Sequence, residues 1–370
     1  MVPSPEAIKE WIEWRNSDHQ CRVSVKEGTY GLVWIGENAP GISPPRFALK
    51  GFNPAKASKA PHSDARALFE RELDKWLRLG IHRNVLPALG LEFVPPSGDT
   101  RFATQSEHAF PLVRMPFREG TVRDWIGKPH PAMEERLIAV AQLCNGLSWI
   151  YEEGISGHGD LKPENVLLKN IANLFAGQGE EPHPPILAWI VQVADLGWAD
   201  IWEDFEGPEF ARKAYRPYLA PERLEGEVRA VESDMFSVGV IAVEMLTGCH
   251  PAGKPTCEVD RWNDSKYSKW AREGRRLACE EAPLDIRALL DSCLSPQPKD
   301  RPRPREAVDR LCRVVRAGPR YDLKGTLDSW TQEARQANDL MQRRWELEEL
   351  GRLGGHSLDE GSRSLRENFT

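Results

Sequence analysis

Hydrophobic residues near the start of the chain follow the spacing of short strands. Residues 22–37 predict a strand, a turn and a second strand, and residues 46–51 predict another strand. A short amphipathic helix over residues 5–16, with Ser4 as its cap, precedes these strands. A longer amphipathic helix is predicted over residues 65–79, with apolar positions at Leu68, Leu73, Trp76, Leu77 and Leu79. The pattern predicts a strand-rich unit with one long helix, braced by the N-terminal helix.

After residue 120 the pattern becomes helical. Residues 134–151 predict a long amphipathic helix, and residues 233–247 are apolar on nearly all sides, which is typical of a buried helix. Residues 169–185 are rich in Gly, Pro and acidic residues and predict a surface loop. Residues 307–316 predict a closing helix. We therefore expect a larger, mainly helical unit after the strand-rich one.

The composition changes once more beyond residue 317. A long charged helix is predicted there, with one apolar seam at Leu327, Trp330, Ala334, Ala337, Met341 and Trp345. Such a seam over residues 327–353 can dock on the chain's own helical unit or pair with a partner helix. Residues from 354 onward have the composition of a disordered end.

Composition and charge narrow the class of protein. The chain has 370 residues, enough for two or three packed units, with 40% hydrophobic and 28% charged residues. A net charge of −7 argues against nucleic acid as the main partner. The longest apolar stretch, near residues 238–245, is far shorter than the ~20 residues that span a bilayer. Seven cysteines without a Cys-x-x-Cys pair, and no signal peptide, predict a cytoplasmic protein without a membrane partner.

The middle of the chain carries residue types that phosphoryl transfer needs. Such a site requires a carboxylate that orients the attacking hydroxyl, and oxygen ligands that hold Mg²⁺ on the phosphates. Asp160 lies in the run HGDLKPEN (residues 158–165), which also contains Asn165, and Asp195 follows as Asp-Leu-Gly. Together these three side chains predict a phosphoryl-transfer site.

The strand-rich unit holds residues that suit a nucleotide. Gly28 and Gly31 lie in a hairpin, where the missing side chains let the backbone approach a phosphate. Lys50, on the following strand, can reach phosphates if a carboxylate holds its flexible stem. Glu72, on the predicted helix, is the best candidate for that carboxylate.

These motifs, in this order, resemble the eukaryotic-type protein kinases of the Ser/Thr type over about residues 20–316. Residues 47–50 (FALK) resemble the family's Val-Ala-Ile-Lys strand, residues 158–165 its catalytic loop and residues 195–197 its Asp-Phe-Gly motif. Residues 220–222 (APE), 233–239 and 300–302 (DRP) are similar to the end of the activation segment, the start of helix F and the segment whose arginine pairs with the glutamate of Ala-Pro-Glu.

The resemblance implies an α+β, bilobal protein-kinase fold. The N-lobe, residues 20–117, would be a small antiparallel sheet with one long helix, and the C-lobe, residues 118–316, would be larger and mainly helical. A helical extension, residues 1–19, would precede the lobes. A helical tail with a disordered end, residues 317–370, would follow them.

The resemblance also implies a role for each site residue. Asp160 is the expected catalytic base, Lys162 stabilises charge on the transferring phosphoryl group, and Asn165 and Asp195 bind Mg²⁺. Glu222 and Arg301 are expected to form a buried structural ion pair. The implied ATP-binding residues, with Met115 as gatekeeper and a hinge at residues 116–118, are Gly28, Gly31, Val33, Ala48, Lys50, Glu72, Met115, Phe117 and Leu167.

The sequence departs from the family pattern at several places. Lys26 occupies the first glycine position of the phosphate loop, Tyr215 stands where Ser/Thr kinases keep a threonine, and an insertion lengthens the stretch between Asn165 and Asp195. Gly159 replaces the arginine of His-Arg-Asp, which in the family receives an activating phosphate. Residues 198–214 contain no Ser, Thr or Tyr. These two absences agree, and they predict a kinase that is not switched on by phosphorylation of this segment.

Three functions compete on this sequence. The first is an ATP-dependent Ser/Thr protein kinase, the second a pseudokinase scaffold, and the third a small-molecule phosphotransferase, whose loop also reads His-Gly-Asp. Lys162, the Ala-Pro-Glu segment and Arg301 favour protein substrates over small molecules. The polar residues that phosphoryl transfer needs are all present, which favours an active kinase over a pseudokinase scaffold. Acidic residues over positions 200–209 predict basic protein substrates by charge complementarity.

Overall fold

A computed structural model describes most of the chain. The described residues are 3–27, 31–53, 65–95, 109–129, 131–171, 188–196, 215–226, 230–274, 279–315 and 322–353. The predictions for Gly28, Gly197, the 198–214 segment, most of the 169–185 loop and the end beyond residue 353 lie outside these ranges.

Five antiparallel strands form the first sheet of the described structure. They are β1 (Arg22–Glu27), β2 (Gly31–Glu37), β3 (Arg46–Phe52), β4 (Gly90–Val94) and β5 (Phe110–Pro116), in the order β1-β2-β3-β5-β4. The long helix predicted over residues 65–79 is confirmed as Ala65–Arg78, and it contacts β3.

The N-terminal helix, α1 (Pro5–Arg15), packs on this sheet. The long helix Ala65–Arg78 is the second helix of the chain and is called α2. The Ser4 side chain accepts a hydrogen bond from the Ala7 amide, as a helix cap does. Ile8, Trp11 and Ile12 are buried, and the Trp34 indole donates to the Pro5 carbonyl at 3.1 Å. The predicted bracing helix is confirmed.

The second part of the structure is mainly helical. A small sheet of β6 (Gly120–Thr121), β7 (Val166–Asn170) and β8 (Trp189–Val193) lies at its start. The helices that follow β6 are α3 (Met133–Glu152), α4 (Pro221–Leu224), α5 (Ala230–Thr247), α6 (Thr256–Val259), α7 (Asp264–Lys269), α8 (Leu284–Cys293) and α9 (Pro304–Val314). Helix α5 contacts α3 and α8, and its Phe236, Val240 and Ile241 are fully buried. The α+β architecture predicted from the sequence is confirmed, with an antiparallel sheet and one long helix in the first part and a mainly helical second part.

The closing helix α9 begins three residues before the predicted position 307. Pro304 lies in its first turn, where the backbone N–H that proline lacks would have no partner within the helix. The apolar positions Ala307, Val308 and Leu311 are buried. The prediction placed the helix correctly and its start too late.

The tail forms helix α10 (Leu323–Leu353), which contacts α3 and α9. Leu323, Leu327, Trp330 and Ala334 are buried against these helices. Met341, predicted to lie in the same seam, is 44% exposed. The helix therefore buries the first half of its apolar seam on its own chain. No helix among the described residues combines the length and the apolar character that crossing a membrane requires.

Candidate active site

Lys50 is the residue that joins the two parts of the structure at the site. It lies on β3, and its Nζ donates to Glu72 Oε1 of α2 at 2.5 Å. The same Nζ donates to Asp195 Oδ1 at 2.7 Å, just beyond the end of β8. Lys50 and Glu72 are buried, whereas the Asp195 side chain is 43% exposed. One ammonium group therefore binds a carboxylate from each part of the structure.

The pKa values of these three groups follow from burial and from each other. Burial by itself lowers the pKa of Lys50, but the carboxylates of Asp195 and Glu72 outweigh it and raise that pKa above its usual range. Burial raises the pKa of Glu72, although Lys50 opposes the change. Burial also acts to raise the pKa of Asp195, but Lys50 lowers it to about 2. At neutral pH the site therefore holds a charged lysine and an ionised Asp195.

The backbone at Asp195 and Asn165 brings these two side chains to the same end of the small sheet. Asp195 has a φ of 67°, in the left-handed region that residues other than glycine seldom adopt. The Ala194 amide donates to the Asn165 carbonyl at 2.9 Å. The Asn165 Nδ2 donates to the Asp160 carbonyl at 2.8 Å, which leaves its Oδ1 as the atom for a cation.

Asp160 is buried and held on both carboxylate oxygens. Lys162 Nζ donates to its Oδ2 at 2.5 Å, and the Tyr215 amide donates to its Oδ1 at 3.4 Å. The residue at the position of the family's threonine thus contacts Asp160 through its main chain. The structure brings together the predicted residues Asp160, Lys162 and Asn165 in one loop.

Asp234, on α5, holds that loop through hydrogen bonds to its backbone amides. Its Oδ2 accepts from the His158 amide at 2.6 Å, and its Oδ1 accepts from the Gly159 amide at 3.0 Å. The Tyr151 hydroxyl donates to the same carboxylate at 2.7 Å. Gly159 has a φ of 81°, which a residue without a Cβ adopts readily. The sequence identified Asp234 only as part of a motif, and its buried contact with the two loop amides depends on how α5 packs against the loop.

Arg223 is a site neighbour that the sequence analysis did not identify. It follows Glu222 in α4, is 3% exposed, and donates through Nη1 to the Gly159 carbonyl at 3.2 Å. The sequence gives no signal for this contact, because it depends on how α4 packs against the loop.

The residues predicted to bind a nucleotide line the strands near Lys50. Ala48 pairs with Met115 across β3 and β5, and both are buried. Val33 pairs with Lys50 across β2 and β3. A Cβ on Gly31 would lie 3.0 Å from the Gly51 carbonyl oxygen, a tighter contact than most Cβ atoms make, so the strands leave little space for a side chain here. Leu167 is half-buried on β7.

Phe117 follows β5, and the guanidinium of Arg46 lies 5.3 Å from its ring centroid. Its ring is half-buried. The remaining nucleotide candidate, Gly28, lies outside the described residues.

Glu222 and Arg301 form the predicted buried ion pair. The two guanidinium nitrogens donate to the two carboxylate oxygens at 2.6 and 2.7 Å. Ser233 adds a third hydrogen bond to Glu222 at 2.6 Å. Burial acts to raise the pKa of Glu222, but Arg301 outweighs it and lowers that pKa below its usual value. The pair fixes the end of the activation segment to the segment before α9.

Comparisons with known proteins agree with this geometry. A family model described as the protein kinase domain matches residues 27–311. Serine/threonine-protein kinase A of Synechocystis is 28% identical over 57% of this chain and 39% of its own length. Calmodulin-binding receptor-like cytoplasmic kinase 3 of Arabidopsis thaliana is 25% identical over 79% of this chain and 53% of its own. For serine/threonine-protein kinase PkaA of Streptomyces coelicolor the identity is 30%, over 49% and 29%. The chain spans about half or less of the length of these relatives.

Proposed function

The chain belongs to the protein kinase family, and we propose that it is an active kinase that transfers the γ-phosphoryl group of ATP to Ser or Thr hydroxyls of proteins. The observation that carries the proposal is the double contact of Lys50 with Glu72 and Asp195. Kinase catalysis requires the lysine–glutamate ion pair and the metal-binding aspartate to be in place together. A scaffold that had lost catalysis would have no need of this arrangement.

Each predicted residue has a task in this proposal. Lys50 binds the α- and β-phosphates and is held there by Glu72. The Asp160 carboxylate orients the substrate hydroxyl and accepts its proton, while Lys162, 2.5 Å away, offsets negative charge on the phosphoryl group. The remaining nucleotide contacts come from Gly28, Gly31, Val33, Ala48, Met115, Phe117 and Leu167.

The donor set at Asn165 and Asp195 fits Mg²⁺. An amide oxygen and a carboxylate are hard oxygen ligands, and the side chain of Asp195 is half-exposed. When bound, Mg²⁺ would neutralise charge on the phosphates. The low pKa of Asp195, about 2, keeps this ligand ionised at every physiological pH.

Activity is proposed to need no phosphate on the activation segment. Gly159 has no side chain to receive one, and its amide and carbonyl are held by Asp234 and Arg223. Residues 198–214 offer no hydroxyl for modification, and the nearest is that of Tyr215. If Tyr215→Phe abolished activity and a phosphate were found on Tyr215 in active protein, this part of the proposal would be wrong.

Protein substrates and a cytoplasmic location complete the proposal. Lys162 and the Glu222–Arg301 pair are features of protein kinases that small-molecule phosphotransferases generally lack, and the acidic residues over positions 200–209 favour basic substrates. All seven cysteines are free thiols, which suits a reducing compartment. The contacts of α10 with α3 and α9 support docking of the tail on its own chain over pairing with a partner helix.

The decisive experiment measures phosphoryl transfer from labelled ATP with Mg²⁺ to a generic basic protein. Asp160→Asn is expected to lower kcat by about 10²–10⁴-fold, because the proton acceptor is lost. Asp195→Ala should also abolish labelling, while Asp285→Asn, at an exposed position of α8, should retain it. Equal labelling by wild type, Asp160→Asn and Asp195→Ala would contradict the enzyme and favour the pseudokinase.

A further inference from the structure

The loop around Gly159 lies next to a buried guanidinium group that belongs to a later helix of the chain. Position 159 carries no side chain, yet the space behind the loop holds the guanidinium of Arg223, which donates to the Gly159 carbonyl at 3.2 Å. Arg223 belongs to α4, more than sixty residues later in the chain. The loop is therefore held by hydrogen bonds at both polar groups of Gly159, by Asp234 at the amide and by Arg223 at the carbonyl.

The charges around Arg223 explain why an arginine is tolerated there. Asp234 and Asp160 are buried carboxylates, with 2% and 6% exposure, and both act on Arg223 electrostatically. Burial lowers the pKa of Arg223 to about 10, and these carboxylates and Glu222 oppose the change. Arg223 is still a cation at neutral pH. Its charge offsets the buried carboxylates of Asp160 in the loop and of Asp234 on α5, while Arg301 is bound to Glu222.

We propose that Arg223 is a positioning residue that holds the catalytic loop from α4 and supplies the cation that the loop lacks at position 159. The inference rests on the proposed function, since it assigns a second support to the loop that carries Asp160. Arg223 adjoins Glu222, which Arg301 fixes in place, so its position is set by the folded structure. Arg223 is 3% exposed, so its guanidinium offers little surface to a phosphate group. This support requires no phosphate, in agreement with the proposed independence from phosphorylation of the activation segment.

The experiment compares Arg223→Met, Arg223→Lys and a matched control, Arg136→Met, in the full-length chain. Arg136 is another buried arginine, 6% exposed, that donates to the carbonyls of Pro131, Met245 and Lys128, away from the loop. Hydrogen exchange measured on peptides covering residues 155–165 reports the loop directly. Steady-state kinetics report kcat and the KM for ATP.

Arg223→Met is expected to speed hydrogen exchange at the His158 and Gly159 amides by about ten- to a hundredfold. This factor corresponds to the free energy of one hydrogen bond to a charged group, which the variant loses. It should lower kcat about tenfold or more and leave the KM for ATP within about twofold, because Lys50 and its partners are untouched. Arg223→Lys keeps the charge and should remain within about threefold of wild type in kcat. Arg136→Met should lower thermal stability without changing loop exchange or kcat.

Two outcomes would overturn the proposal. Wild-type exchange of the loop in Arg223→Met would mean that Arg223 does not hold it, and an equal rise in Arg136→Met would mean that the effect is a general loss of stability. If Arg223→Met failed to fold, Arg223→Gln would replace it, with the same expectations, because glutamine is shorter than arginine and uncharged, so the charged hydrogen bond to the Gly159 carbonyl is lost in this variant too. A wild-type chain without phosphoryl transfer would contradict the proposed function, while loop exchange would still decide the role of Arg223.

Discussion

The contact between Glu222 and Arg301 links two segments that lie far apart in the sequence. The Arg301 side chain is completely buried, and besides its two bonds to Glu222 it donates to the carbonyls of Glu232 and Ser295 at 2.8 and 2.9 Å. A charge buried in this way costs several kcal/mol unless its partner is present. The pair therefore holds α4, the start of α5 and the segment before α9 in one arrangement.

Glu222→Gln is expected to lower the free energy of unfolding by about 3–5 kcal/mol, because it leaves the Arg301 guanidinium buried without a counter-charge. Chemical denaturation measures this change. The matched control is Glu225→Gln, whose partner Arg272 is half-exposed, so the loss there should stay below about 1 kcal/mol. If both variants lost the same small amount, the buried pair would not stabilise the fold.

The residues expected to take part in phosphoryl transfer could be predicted from the sequence. The residues that hold them in place were harder to predict. Lys50, Glu72, Asp160, Asn165 and Asp195 were identified from sequence because phosphoryl transfer restricts the residue type at each position. The contact between Arg223 and the Gly159 carbonyl was not, because it joins a side chain to a main-chain atom that every residue possesses. Only the packing of α4 against the loop brings the two atoms together.

At the scale of elements, helix α10 holds the loop that follows α2. Asn338 Oδ1 accepts from the Ile81 amide at 3.0 Å, and Asn338 Nδ2 donates to the Leu79 carbonyl at 3.5 Å. Gly80 has a φ of 62°, and a Cβ there would collide with the Asn338 amide group. Glu333 of the same helix forms an ion pair with Arg83 at 2.9 Å. Because α2 carries Glu72, the tail fixes the end of the helix that orients Lys50.

Asn338→Ala is expected to speed hydrogen exchange at the Ile81 amide and to lower the free energy of unfolding by about 1–2 kcal/mol, since it removes both hydrogen bonds to the loop. Exchange and urea denaturation measure the two effects. Gln336→Ala, at an exposed position of the same helix, should change stability by less than about 0.5 kcal/mol. Unchanged exchange at Ile81 in Asn338→Ala would mean that α10 does not hold this loop.

The existence of α10 was predictable and its docking site was not. The spacing of Leu327, Trp330 and Ala334 indicated one apolar face, but an apolar face fits its own chain or a partner equally well. The polar contacts of Asn338 and Glu333 lie outside that seam, and they bring the helix to the loop over residues 79–84. Met341 belongs to the seam by spacing alone and is exposed in the structure.

At the scale of the whole molecule, buried histidines connect distant segments in their neutral form. His82 Nδ1 accepts from the Asn84 amide at 3.1 Å, so its Nε2 carries the proton and faces the Thr331 hydroxyl of α10 at 3.4 Å. His250 Nδ1 accepts from the Ala252 amide at 3.1 Å, and its Nε2 donates to the Pro217 carbonyl at 2.7 Å. A second proton on either ring would break the bond at Nδ1.

Burial lowers the pKa of both histidines to about 4, and for His82 the charge of Arg335 acts in the same direction. In the unfolded chain a histidine has a pKa of about 6.5. Between these two values the unfolded state takes up a proton that the folded state does not, so stability falls as the pH falls. No such loss is expected above about pH 7, where both states are neutral.

We therefore expect the free energy of unfolding to fall between pH 7 and pH 5 by about 2 kcal/mol for each of the two histidines. His82→Gln and His250→Gln should each reduce this slope, because glutamine can accept and donate hydrogen bonds but does not titrate. His19→Gln, at an exposed position, is the control and should keep the wild-type slope. Urea denaturation at the two pH values measures the slope. Protonation would break the hydrogen bond of His82 to the Asn84 amide, beside α10, and that of His250 to the Ala252 amide, after α5. If His82→Gln and His250→Gln both kept the wild-type slope, neither ring would be held neutral by the fold.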